Sequence, residues 1–207
     1  MHTDQEQTPE PKALMIPVNV SIEADGVVLA QPEMEELLRG AELIAIGDCY
    51  CRKTAENCDR PLEVCLGLDE EAQSSIARDG WRAIGVGEAL EILEQTHRAG
   101  LVHTAFRRSD GSVNLVCSCC SCCCEFLGSL THLTYRDALT ESAYVAKYDS
   151  DTCIKCGVCI GRCPFGAFSR ESNQEPVAYD TARCFGCGLC VSTCPSGAIT
   201  FIARTSE

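Results

Sequence analysis

The sequence predicts an α+β protein in two parts: a larger α/β or α+β cysteine-rich domain, then a smaller α+β unit with pseudo-twofold symmetry. Three observations predict it. Strand-like and helix-like apolar patterns alternate over roughly the first 130 residues. A cysteine and proline pattern occurs twice near the C-terminus. Finally, 18 of the 207 residues are cysteine, in three groups: Cys49 to Cys65, Cys117 to Cys124 and Cys153 to Cys194. The composition changes divide the chain into a polar tail over 1–12, a cysteine-rich domain over 13–132, a linker over 133–143 and the second unit over 144–207.

Taken in order, Leu14 to Val20 and Val27 to Leu29 read as two strands around an Asp25-Gly26 turn. Pro32 opens a helix that runs to Arg39, with Gly40 as its stop. Leu43 to Ile46 is a buried strand that delivers Cys49 and Cys51. After the apolar stretch Leu62 to Leu66, Asp69 is placed to cap a helix reaching about Arg78. Trp81 to Ile84 reads as a strand. Glu88 to Ala99 is the clearest helix, with Ala89, Leu90, Ile92 and Leu93 on one face and Gly100 at C′. Leu101 to Arg107 and Ser112 to Val116 form a hairpin around Ser109 to Gly111, and its second strand runs into Cys117. In the second unit, Tyr144 to Tyr148 can pair with Ile199 to Ile202, and Ala167-Phe168 with Val177 to Tyr179. Ser169 to Gln174 is read as a surface loop.

The formal charge of −13 argues against nucleic acid, whose phosphates demand basic surface. Residues 1–48 carry ten acidic side chains against Lys12 and Arg39, which makes either a solvated surface or a docking face for a basic partner. No apolar run is long enough to span a membrane. The first residues show no basic stretch followed by an apolar core, so a cytoplasmic location is expected, where dense cysteine means metal rather than disulfides.

Cys153-Ile-Lys-Cys156-Gly-Val-Cys159-Ile-Gly-Arg-Cys163-Pro164 recurs as Cys184-Phe-Gly-Cys187-Gly-Leu-Cys190-Val-Ser-Thr-Cys194-Pro195. Each copy can wrap three thiolates around one iron–sulfur cube while its fourth cysteine ligates the other cube. That assigns Cys153, Cys156, Cys159 and Cys194 to one [4Fe–4S] cluster, and Cys184, Cys187, Cys190 and Cys163 to a second. Gly157 and Gly188 lie between the second and third ligands, where a residue without Cβ lets backbone N–H groups face the cube. On these residues the segment 144–204 resembles the bacterial two-[4Fe–4S] (dicluster) ferredoxins. The resemblance implies a ferredoxin-like fold and one-electron transfer. Structural zinc is the alternative for paired C-x2-C motifs, but the doubled spacing is that of iron–sulfur loops.

The ten earlier cysteines, Cys49, Cys51, Cys58, Cys65, Cys117, Cys119, Cys120, Cys122, Cys123 and Cys124, match no ferredoxin loop. With Cys49-Tyr-Cys51-Arg52, Pro61-Leu62-x-x-Cys65-Leu66 and Gly100-Leu-Val-His103, this region resembles a cysteine-rich module fused to dicluster ferredoxins in anaerobic bacteria. All ten are candidate metal ligands. Consecutive cysteines point in different directions, so Cys122, Cys123 and Cys124 cannot all meet one cube. One or two further [4Fe–4S] clusters are expected, against zinc, an unusual cluster or redox-active thiols. His103 is read as a partly buried histidine with a hydrogen-bond partner, ahead of a ligand or a proton donor. His97 is read as a cation suited to a helix C-terminus. Arg52 and Arg60 are either cluster neighbours or surface arginines, and Trp81 is core.

No dinucleotide or phosphate-binding loop is present, since Gly85-Val-Gly87 lacks the third glycine. The expected function is therefore electron transfer to or from a partner oxidoreductase. The alternatives are a reductase whose front cluster or thiols act on a small molecule, and an interaction domain built on zinc.

Overall fold

The computed structural model describes residues 25–107, 111–132, 139–172 and 175–204. The expected tail and the strand Leu14 to Val20 lie outside these residues, as do the acidic residues before position 25 and positions 173 and 174 of the expected loop.

Among the described residues the front of the chain forms a six-stranded sheet. Its strands are β1 (Asp25–Val28), β2 (Ile44–Asp48), β3 (Glu63–Leu68), β4 (Arg82–Ile84), β5 (Val102–Arg107) and β6 (Val113–Cys119), in the order β1-β5-β6-β3-β2-β4. Every neighbouring pair is antiparallel, and helices between the strands make this a mixed α and β arrangement. Helices α1 (Gln31–Gly40), α2 (Tyr50–Ala55), α3 (Glu70–Asp79), α4 (Val86–Arg98) and α5 (Glu125–His132) connect or flank the strands.

Alternation along the central strands sorts the two faces. Ile44 and Ile46 of β2, Leu66 and Leu68 of β3 and Val116 of β6 pack with Met34 and Leu38 of α1 and Ala89 and Leu93 of α4 in one apolar core. The opposite face carries Gly47 and Gly67. A Cβ on Gly67 would lie 3.2 Å from the Ala72 backbone of α3, and one on Gly47 would lie inside the Trp81 ring. The sheet therefore has α1 and α4 on one side and α3 with Trp81 on the other. Trp81 is half-buried over Gly47 rather than in the central core.

Asp69 stands at the start of α3, but its side chain caps something else. Its Oδ1 accepts from the backbone N–H groups of Glu42 (2.7 Å) and Leu43 (3.2 Å), so it holds the start of β2 instead of the helix. Gly100, with φ 81°, ends α4 as expected, and Leu101 N–H returns to Thr96 O at 3.0 Å.

The second unit contains β7 (Tyr144–Tyr148), α6 (Val158–Arg162), β8 (Phe168–Ser169), β9 (Ala178–Tyr179), a 3₁₀ turn (Thr181–Arg183) and β10 (Ile199–Ala203). β7 pairs antiparallel with β10, and β8 with β9. The two units share buried structure. Val28, Val102 and Leu127 pack with Phe165, Phe185 and Leu189, and the Phe165 and Phe185 rings stack with centroids 4.6 Å apart. Glu33 of α1 accepts from Ala30 N–H (2.8 Å) and Ser142 Oγ–H (2.7 Å), and Ser142 N–H reaches Phe185 O at 3.1 Å. Arg162 of α6 donates to the carbonyls of His97 and Arg98 at the end of α4. The cation at that helix end is thus Arg162. His97 instead packs its ring beside His103 and bonds Ser192 Oγ at 2.8 Å, and burial together with Arg162 pushes its pKa down.

Candidate metal centres

In the second unit two small pockets each gather four cysteines from both motif copies. One is lined by Cys153, Cys156, Cys159 and Cys194 with Tyr148 and Ile199. The other is lined by Cys163, Cys184, Cys187 and Cys190 with Phe165 and Phe185. The fourth cysteine of each copy, directly before the motif proline, lines the pocket of the other loop. The backbone repeats as well: Gly157 and Gly188 have φ of 77° and 79°, a left-handed conformation that turns the loop around its pocket. Gly186 (φ 76°) goes further, because a Cβ there would lie 2.0 Å from Tyr144 O. Lys155 holds the matching place in the first loop, also left-handed at φ 58°.

The two pockets differ in depth. Cys156 is exposed and Cys153 and Cys194 are partly so, whereas Cys184, Cys187 and Cys190 are buried. Burial pushes the Cys187 thiol up to about 12, an unfavourable site for a thiolate without a positive partner. Backbone N–H groups face the sulfurs: Ala167 N–H lies 3.4 Å from Cys163 Sγ, and Lys155 N–H 3.3 Å from Cys153 Sγ. Pockets ringed by four soft thiols with N–H donors around them fit an iron–sulfur cube.

In the front unit the ten cysteines divide by position. Cys117 and Cys119 point to the face of β6 opposite Val116 and Ser118, as a period of two requires. They face Cys65 from β3, Cys49 and Cys51 at the β2 to α2 junction, and Cys124 before α5, all around a cleft of about 1430 Å³. Neighbouring sulfurs push the thiols apart in pKa: Cys65, beside Cys117 and Cys49, and Cys119, beside Cys117 and Cys124, are pushed down, while Cys49, Cys117 and Cys124 are pushed up. The cleft extends past these six thiols to Arg78, Trp81, Arg82, Phe106 and Phe126.

Cys58, Cys120, Cys122 and Cys123 form a separate set whose sulfurs all lie within 4.8 Å of one another. Cys120 and Cys123 also border the cleft. The consecutive cysteines thus diverge, with Cys122 and Cys123 in one set and Cys124 in the other.

Between the sets lies Arg52, only 1% exposed, so it is not a surface arginine. Its guanidinium donates to Pro61 O, to Ser118 O at 2.8 Å and to Cys120 Sγ at 3.8 Å. Burial disfavours its charge, but the Cys120 and Cys49 sulfurs outweigh that and raise its pKa. The sequence carries one signal for Arg52, its place directly after Cys51 in Cys49-Tyr-Cys51-Arg52. Arg60 instead donates to Gly100 O at 3.4 Å. His103 is no ligand here: it points to the α4 face, fully buried, with Nδ1 3.2 Å from Ser118 Oγ, and burial followed by the nearby His97 pushes its pKa down to about 4.

Fold and pockets together define an iron–sulfur protein with an electron-transfer role. More particularly, residues 146–201 match the family described as 4Fe-4S dicluster domain, so this part of the chain is a dicluster ferredoxin unit that carries two [4Fe–4S] clusters. The match spans under a third of the chain. No curated protein matches it. No described helix is long and apolar enough to cross a membrane.

Proposed function

We propose that the chain passes single electrons between a partner oxidoreductase and a file of iron–sulfur centres. Cys153, Cys156, Cys159 and Cys194 would hold the outer centre and Cys163, Cys184, Cys187 and Cys190 the inner one, in a unit with pseudo-twofold symmetry over 144–207. Four of the six cleft thiols would hold a further [4Fe–4S] cluster in the cysteine-rich domain over 13–132, joined to the second unit through 133–143. Each cube supplies reversible one-electron chemistry when bound.

The observation that carries this reading is a shared core. Cys119 and Cys124 of the cleft, and Cys187 and Cys163 of the inner pocket, all border one apolar cluster. Packed side chains, among them the stacked Phe165 and Phe185 pair, join the two sites within one apolar cluster. At the far end, Ile154 is 63% and Val158 47% exposed beside the exposed Cys156, which suits a partner docking over the outer pocket. The acidic residues before position 25 would add long-range attraction for a basic partner. A cytoplasmic, oxygen-poor setting fits thiols kept free for metal.

Anaerobic purification, sulfide analysis and potentiometric EPR test the reading. The expected result is about 12 sulfide-linked irons in three reducible, mutually coupled centres. Absence of acid-labile sulfide, or only two reducible centres, overturns it. The size of the cleft favours a second reading, in which a small molecule is reduced directly among Arg78, Trp81 and Arg82. Oxidation of the reduced protein by a small molecule, with no protein partner, would favour that reading.

A further inference from the structure

The four-thiol set has a spacing that a cube does not share. Cys58 Sγ lies 3.9 Å from Cys120 Sγ and 3.8 Å from Cys123 Sγ, and Cys123 Sγ lies 3.8 Å from Cys122 Sγ. Four sulfurs at tetrahedral corners, each about 2.3 Å from one central ion, stand about 3.8 Å apart. Around a cube each sulfur caps a different iron, which sets the four farther apart. The same molecule supplies the comparison. Among the described residues, neither four-cysteine set of the dicluster unit, nor any three of the six cleft thiols, comes as close together as Cys58, Cys120, Cys122 and Cys123.

We propose that Cys58, Cys120, Cys122 and Cys123 bind one thiophilic divalent ion, zinc or iron, in a closed tetrahedral site, and not an iron–sulfur cube. Local structure is built for it. Cys123 N–H and Cys124 N–H both turn back to Cys120 O (3.3 and 3.0 Å), so the turn after β6 presents Cys120, Cys122 and Cys123 to one point. Cys58 comes from the segment between α2 and β3. Asn57 is tied to the same turn by its Nδ2 donating to Cys122 O at 2.8 Å. Four thiolates on a divalent ion carry two net negative charges, and the buried Arg52 on Cys120 Sγ offsets one. All four positions are filled by protein, so the site ties Cys58 to the β6 to α5 turn and leaves no open position for substrate.

The test uses the full chain prepared anaerobically, with zinc, iron and acid-labile sulfide counted in the wild type, Cys58→Ser and Cys122→Ser. In the zinc case each variant loses one zinc; in the iron case each loses one iron. In both cases sulfide and the EPR intensity of the reduced cubes stay unchanged, which separates this result from any failure of the electron-transfer reading. Loss of about four irons together with four sulfides, or no metal loss in either variant, overturns the proposal. Should the variants not accumulate, the wild type decides alone. X-ray absorption should show one zinc or one sulfide-free iron with an all-sulfur shell at about 2.3 Å. Iron equal to sulfide with no zinc overturns it.

Discussion

Single side chains and single backbone angles set the sites. Gly186 is the sharpest case, because both its left-handed φ and the approach of Tyr144 O exclude a Cβ. Gly186→Ala should cost on the order of 3 kcal/mol and deplete the inner cube. Gly161→Ala, in α6 with open space around it, should be neutral or slightly stabilising. Equal loss of iron in both variants would refute the steric argument. His103 makes a pH prediction. Burial lowers its folded pKa to about 4, against about 6.5 when unfolded, so the unfolded chain binds the extra proton between those values. Stability is therefore intact above about pH 6.5 and falls as the pH drops toward 4, by about 2 kcal/mol at pH 5. Denaturant unfolding at pH 7 and pH 5 should show this difference shrink in His103→Asn. The motif cysteines and glycines were legible because their spacing is fixed by the object they enclose. Arg52 was not, since its burial depends on Pro61 and Ser118, which approach it only after folding.

At the scale of elements, the β6 cysteines show how far period reasoning reaches. The hairpin and its run into Cys117 followed from strand patterning, and alternation then decides that Cys117 and Cys119 face the cleft while Ser118 faces α4. Partners across the sheet stayed hidden, because the order β1-β5-β6-β3-β2-β4 places β3 beside β6 although helices α3 and α4 separate them in the chain. Asp69 illustrates the same limit. Its position signalled a helix cap, yet the start of β2 offered two nearer N–H groups. The end of α4 lies where the sequence places it, but the cation that meets it is Arg162 from the second unit, which donates to the last carbonyls, and not His97. Arg162→Ala should cost about 1–2 kcal/mol and speed amide exchange in the last turn of α4, with β1 unaffected. Unchanged exchange in that turn would show that the guanidinium does not hold the two units together.

Across the whole molecule, two kinds of core stand side by side. The core between the sheet and helices α1 and α4 contains no cysteine, whereas Cys159, Cys184 and Cys190 are buried members of the core of the second unit. Without metal, then, the six-stranded sheet keeps its packing, but residues 144–204 lose the centre of theirs. Hydrogen exchange on protein stripped of iron and sulfide should find protection retained in β2, β3 and β6 and lost in β7 and β10. Uniform collapse would mean that the sheet also depends on metal. The unequal depth of the two loops also orders their vulnerability. Oxidants arriving from solvent reach the loop of Cys156 long before that of the buried Cys187. Brief exposure to air should therefore bleach the protein in two stages, leaving a half-damaged form that still answers to reductant.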